Sequence, residues 1–214
     1  MARIYELHPQ DPQHRTVNQV VRQLRAGAVM LYPTDTVYAI GCDLNSKQAI
    51  KRVREIKQLS NEKPLTFLCS SLSNIAEYAI VQDFAYKAMR HLIPGPYTFI
   101  LPTTKLVPKL VMSPKRKTTG IRVPDHCVSQ ALLKVLGNPV VSTSAHVIDP
   151  DDLQADVPYY SRYELFDALD GVVDLIIDSD EEPGYQTSTI LDMTEREPVI
   201  LRQGLGYEAV EMYE

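Results

Sequence analysis

The apolar runs in this chain are short and alternate with segments of helical periodicity. Residues 28–32, and 172–177 with Asp174 as its single polar interruption, are examples of such runs. Each has the length of a β-strand, far below the roughly 20 apolar residues that span a bilayer. Before the first, Val17, Val20, Val21 and Leu24 repeat at helical spacing, predicting a helix over 16–26 that Gly27 ends. Ser46 is placed to cap a second helix reaching about residue 58. Further strands are expected at 65–69, 97–101, 119–123, 140–143, 189–193 and 198–202. Helices are expected at 71–79, 83–92 and 125–136, the last capped by Asp125 and stopped by Gly137. This alternation predicts one α/β domain over residues 1–214, with helices on the faces of a sheet. The strands near 189 and 198 are too close for a helical crossover. They must run antiparallel, so the sheet is expected to be open, twisted and mixed rather than doubly wound.

Several function classes drop out. No membrane segment and no apolar leader are readable, so a cytoplasmic protein is expected. Cys42, Cys69 and Cys127 are scattered and odd in number, which fits small buried hydrophobes better than a disulfide framework or a zinc site. The five histidines show no metal-ligand spacing and read as surface or capping residues, with His146 alone near a candidate site. Neither G-x-G-x-x-G nor G-x-x-x-x-G-K-[ST] occurs, so any phosphate must be held by side-chain cations and hydroxyls. The net charge of −5 hides a polarity: residues 1–123 carry 18 Lys and Arg against 8 Asp and Glu, and residues 124–214 carry 4 against 19. A positive face for phosphates or RNA is one reading of this, and mutual cancellation on folding is the other.

Polar clusters sit where strands end, the usual place for active-site groups in α/β folds. They are Pro33-Thr34-Asp35-Thr36-Val37-Tyr38, Pro94-Gly95-Pro96-Tyr97-Thr98, Ser142-Thr143-Ser144 and Gln186-Thr187-Ser188-Thr189. Each alone also reads as a capped or rigid turn. Arg122 lies between Ile121 and Val123 in an apolar strand, so its side chain faces opposite to both, toward solvent or a polar cleft. Residues 145–161 show no periodicity and read as a loop. Hydroxyl clusters with isolated arginines, and no triad or metal cluster, suit anionic substrates that must be positioned.

Taken together, PTDTVYAIG (33–41), PGPYT (94–98), GIRVP (120–124), STSAH (142–146), TSTI (187–190) and ILRQG (200–204) resemble the YrdC family over nearly the whole chain, with KQL (57–59) and KRKTTGIRVPD closest to its YciO branch. The resemblance implies a YrdC/RibB-like fold and synthesis of threonylcarbamoyl-AMP from ATP, L-threonine and bicarbonate. It also implies a link to tRNA modification. By motif matching, Thr34, Thr36 and Tyr38 would border the threonine pocket, and Lys57 and Arg122 would meet anionic groups. Ser142 and Ser144 would contact nucleotide or carbamate oxygens; Thr98, Ser188 and Arg202 would lie on the nucleotide side. Mg2+ would arrive with ATP, with no dedicated protein cage. Three positions depart from the pattern: Leu59 stands for an arginine, His146 for an asparagine and Asp35 for a glutamate. Two other readings stay open, a double-stranded RNA or tRNA binder using Lys115, Arg116 and Lys117, and an enzyme acting on the threonylcarbamoyl group of modified tRNA.

Overall fold

The structure, a computed structural model, describes residues 1–60, 62–145 and 160–211. The loop expected at 145–161 falls almost entirely outside these residues, His146 included. Among the described residues the order is β1 (Arg3–Glu6), α1 (His14–Arg25), β2 (Val29–Tyr32), β3 (Ala39–Asp43), α2 (Lys47–Ile56), β4 (Thr66–Leu68), α3 (Leu72–Tyr78), α4 (Asp83–Leu92), β5 (Tyr97–Pro102), β6 (Thr118–Arg122), α5 (Cys127–Leu136), β7 (Val140–Ser144), α6 (Arg162–Leu169), β8 (Leu175–Asp178), β9 (Thr189–Asp192), β10 (Val199–Arg202) and α7 (Tyr207–Glu211). The strands form one open mixed sheet in the order β1-β8-β2-β3-β7-β4-β6-β5-β9-β10. β9 and β10 pair antiparallel, as their short connection requires, while β1–β8, β2–β8, β4–β6 and β5–β9 are parallel.

Strand alternation divides the core in two. Val29 and Leu31 of β2 pack with Ile40, Ala49, Ile50, Val53, Phe67, Phe99, Ile121 and Val141 on one face. Met30 and Tyr32 point to the other, against Val17, Val20, Val21 and Leu24 of α1 and Val128, Leu132 and Leu133 of α5. No helix among the described residues is long and apolar enough to cross a membrane.

Caps and stops follow the chemistry of single residues. Ser46 accepts the Ala49 N–H at 3.3 Å, and Gly27 and Gly137 take positive φ just past their helices. Helix α5, however, starts later than expected, because His126 caps it instead of Asp125. Nε2 of His126 lies 3.1 Å from the Glu181 carboxylate; with the ring proton there, Nδ1 accepts the Ser129 N–H. Strands β1 and β3 and helices α6 and α7 were not foreseen. β3 pairs with β2 on one side and β7 on the other, and that pairing, not its composition, makes Ala39–Asp43 a strand. Cys42 and Cys69 are buried as expected, whereas Cys127 at the start of α5 is exposed.

Candidate active site

On β4, β5, β6 and β7 the residues that alternate with the core face the same side as α1 and α5, beyond those helices. Thr66, Thr98, Arg122, Ser142 and Ser144 there floor a cleft of about 380 Å3. Thr34, Thr36, Val37 and Ala39 line it along the β2–β3 turn. Lys57, Leu59, Lys63, Pro64 and Leu65 line it from the segment after α2, and Thr187, Ser188, Ile190 and Arg202 from the β9–β10 side. Gly120 belongs to the same floor, where an added Cβ would lie 2.8 Å from Thr66 Oγ1 and 3.0 Å from Thr98 Cγ2.

The β2–β3 turn is held by Arg122. Its guanidinium donates to Asp35 Oδ1, to Thr36 Oγ1 at 2.9 Å and to the Gly95 carbonyl at 3.3 Å. Both members of the Arg122–Asp35 pair are nearly buried, and Asp35 Oδ2 has no hydrogen-bond partner among the described residues. Thr34 donates to the Val37 carbonyl at 2.7 Å and accepts the Thr36 N–H at 3.2 Å, closing a compact Asx/ST-type turn. Arg122 thus joins two of the clusters read from the sequence, PTDT and PGP.

Across the floor, Ser142 Oγ accepts from the Tyr32 hydroxyl at 2.7 Å. Thr98 Oγ1 and Ser188 Oγ are 2.8 Å apart, and Arg202 donates to the Ser188 carbonyl at 2.8 and 3.0 Å and to its hydroxyl at 3.2 Å. Burial and the nearby Arg122 charge lower the Arg202 pKa. Lys57 is pushed down to about 8, by burial first and then by Lys63. Lys57, Lys63, Arg122 and Arg202 line the cleft, and no Asp or Glu does so among the described residues. Burial is the main cause of both depressed pKa values and like charge adds to it, so an anion entering the cleft favours the charged forms.

Arg54, on α2, supports the Lys57–Leu65 wall without touching the cleft. It is buried and donates to the carbonyls of Ser60, Lys63 (2.9 Å) and Leu110 (3.0 Å).

The structure gathers Thr34, Thr36, Lys57, Thr98, Arg122, Ser142, Ser144, Ser188 and Arg202 around one cavity. Tyr38 does not join them. It stands one position out of phase with Val37 and Ala39 and therefore points to the opposite face. There it meets Phe166 edge-on at 5.9 Å and its hydroxyl pKa rises to about 12 through burial. Lys115, Arg116 and Lys117 also lie outside the cavity. Arg116 donates to Asp192 at 2.8 Å and to Thr194 at 3.1 Å, while Lys115 is 3.9 Å from Glu62. Lys63, Thr66, Thr143 and Thr187 line the cavity without having been singled out. Thr143 and Thr187 lay inside quoted motifs, whereas Lys63 and Arg54 resembled ordinary surface cations. Among the described residues no group of three or more His, Cys, Asp or Glu is placed to hold a metal.

A family model designated Sua5/YciO/YrdC and described as "Telomere recombination" matches residues 22–204. The uncharacterized protein YciO of Escherichia coli (strain K12) is 39% identical over 206 residues, 96% of this chain and 97% of its own length. The crystal structure of E. coli YciO superposes with a TM-score of 0.87 over the same shares. The threonylcarbamoyl-AMP synthase of Vibrio vulnificus (strain YJ016) is 29% identical over 191 residues, 88% of this chain and 98% of that one. P. abyssi Sua5 in crystals with L-threonine is 25% identical, with a TM-score of 0.85 over 98% of this chain and 60% of that one. On the family model and the near full-length similarity to YciO, this chain belongs to the Sua5/YciO/YrdC family.

Proposed function

We propose that the cleft carries out threonylcarbamoyl-AMP synthesis from ATP, L-threonine and bicarbonate, with release of pyrophosphate. The observation that carries this reading is the lining itself: four cations, a ring of Ser and Thr hydroxyls and, among the described residues, no carboxylate, around about 380 Å3. Such a site matches a reaction whose reactants all carry oxyanion groups and which needs no covalent enzyme intermediate. The V. vulnificus relative bears the name of this activity, and the P. abyssi relative holds L-threonine.

In this scheme the threonine amine forms a C–N bond to the carbon of bicarbonate and water leaves with the broken C–O bond, giving the N-carboxylated amino acid. One of its carbamate oxygens forms a new bond to the α-phosphorus of ATP, and the bond to the bridging β-phosphate oxygen breaks. The chain's work is alignment and charge neutralisation. Lys57, Lys63 and Arg202 present positive charge to the migrating phosphates and carbamate. Arg122 is already balanced by Asp35, so it chiefly fixes the β2–β3 turn and directs Thr36 at the substrate. Ser142, Ser144, Thr98 and Ser188 supply hydrogen-bond donors. Mg2+ enters as part of the ATP substrate, and the product adenylate serves tRNA threonylcarbamoylation. Leu59 on the wall leaves one cation fewer than the YrdC pattern. One missing charge-assisted contact, worth about 1.5–3 kcal/mol, lowers rate or affinity by about one to two powers of ten.

The test is pyrophosphate release by the purified protein with Mg-ATP. Release that requires both threonine and bicarbonate, and that falls at least tenfold in Arg202→Ala, supports the proposal. Release indifferent to either co-substrate, or none at all, refutes it. The cations at 115–117 take no part in this reading, since Arg116 already spends its charge on Asp192.

A further inference from the structure

We infer that Tyr32, which does not line the cleft, is a positioning residue that turns the Ser142 hydroxyl into a fixed donor toward a bound anion. The inference rests on the anion site proposed above and deepens it.

Tyr32 ends β2 and is almost fully buried in the apolar cluster beneath α1 and α5. Ser142 belongs to β7, and β3 lies between the two strands. To reach Ser142, the Tyr32 ring must cross β3, and it does so at Gly41. Gly41 is paired with Ser142 on one side and with Met30 on the other. A Cβ at position 41 would stand 2.7 Å from Tyr32 Cε1, so only glycine leaves room for the ring. The phenol then donates to Ser142 Oγ at 2.7 Å. Burial raises the Tyr32 pKa far above neutrality, so the donor proton stays in place.

Hydroxyl accounting gives the consequence. A serine oxygen carries one hydrogen and two acceptor positions. With Tyr32 donating to that oxygen from behind, the Ser142 hydrogen must point elsewhere, and no protein acceptor for it is found among the described residues. Ser142 lines the cleft, so the free direction is the cavity. A hydroxyl whose oxygen already accepts a bond is a stronger donor, and the direction that Tyr32 occupies is closed to its hydrogen. Arg122 likewise donates to Thr36 Oγ1 and Arg202 to Ser188 Oγ, but those hydroxyls also have a neighbour within hydrogen-bond distance, Thr34 Oγ1 at 3.1 Å and Thr98 Oγ1 at 2.8 Å. Tyr32 differs in bringing no charge: it orients without adding to the cationic field.

A double-mutant cycle tests this, with inorganic pyrophosphate titrated calorimetrically into wild type, Tyr32→Phe, Ser142→Ala and the double variant, each checked for its melting temperature. Tyr32→Phe keeps the ring and removes only the hydroxyl. The expected result is a loss of affinity of about five- to tenfold in each single variant, the net worth of one hydrogen bond, and no further loss in the double variant. Tyr32→Phe binding pyrophosphate as wild type does, or losses that multiply in the double variant, would overturn it. So would a wild type that does not bind pyrophosphate. A lowered melting temperature with unchanged affinity would assign Tyr32 a purely structural role and overturn it as well. Should the cycle behave as expected while threonine-dependent pyrophosphate release is absent, the synthase reading fails and the positioning role stands.

Discussion

Replacing Asp35 by Asn removes the carboxylate paired with Arg122 and leaves the guanidinium in place. The side chains of the pair are 7% and 11% exposed, so the lost partner is not made good by bulk water. Breaking a buried pair on one side costs about 3–5 kcal/mol. Arg122 keeps Thr36 Oγ1 and the Gly95 carbonyl, which places the expected cost near the lower end, about 3 kcal/mol. For a chain of this size that corresponds to a fall of about 6–12 °C in melting temperature. The uncompensated charge also joins Lys57, Lys63 and Arg202 in one cleft, so an anion gains an attraction it lacks in the native protein. A ligand at a hundred times its Kd stabilises a fold by about 2.7 kcal/mol. The Asn variant should therefore recover more of its stability with pyrophosphate than wild type gains. Thermal melts with and without pyrophosphate, at one ionic strength, measure both quantities. A variant that melts with wild type, or whose pyrophosphate shift is no larger than that of wild type, refutes the reasoning.

Three other perturbations have definite outcomes. Lys57, with its pKa near 8, is charged below that pH and binds anions best there; affinity should fall about tenfold per unit above pH 8, until the raised pKa of the bound form is passed. Folding has the opposite sign: the buried charge destabilises below pH 8 and the penalty lifts between pH 8 and about 10.5, so Lys57→Gln should flatten both profiles. Arg54→Met leaves the Ser60, Lys63 and Leu110 carbonyls without their donor and should cost about 3 kcal/mol in chemical denaturation while weakening pyrophosphate binding through the displaced Lys57–Leu65 wall. Gly184→Ala sets a methyl against the Thr36 carbonyl, and because backbone cannot yield as a side chain does, the 181–187 segment must lift from the β2–β3 turn. Affinity should drop there more than stability does, and a variant binding pyrophosphate like wild type would count against that packing.

The turns that build the cleft were legible because polar side chains at the ends of apolar strands need partners, and Arg122 inside Ile121–Val123 had to face away from the core. The mixed sheet followed from the short β9–β10 connection. What escaped was set by register and distance. Tyr38 sits in a motif whose alternation is plain, yet which half of the alternation faces the cleft depends on where β3 pairs with β2 and β7, and a one-residue shift exchanges the faces. Arg54 reads as a surface cation on an amphipathic helix until the 60–63 and 110 backbones fold over it. Tyr32 reads as one more core aromatic, since its contact with Ser142 lies 110 residues away in sequence and across an intervening strand. His126 took the capping role from Asp125 through a partner, Glu181, that no local pattern supplies.

The central claim is that one cationic, hydroxyl-lined cleft holds ATP and threonine side by side. Calorimetric titration of Mg-ATP, with and without threonine and bicarbonate, into wild type and Arg202→Ala measures it directly. The account predicts ATP binding that threonine and bicarbonate tighten and that Arg202→Ala weakens at least tenfold. ATP binding that ignores both the co-substrates and the Arg202 substitution would contradict it.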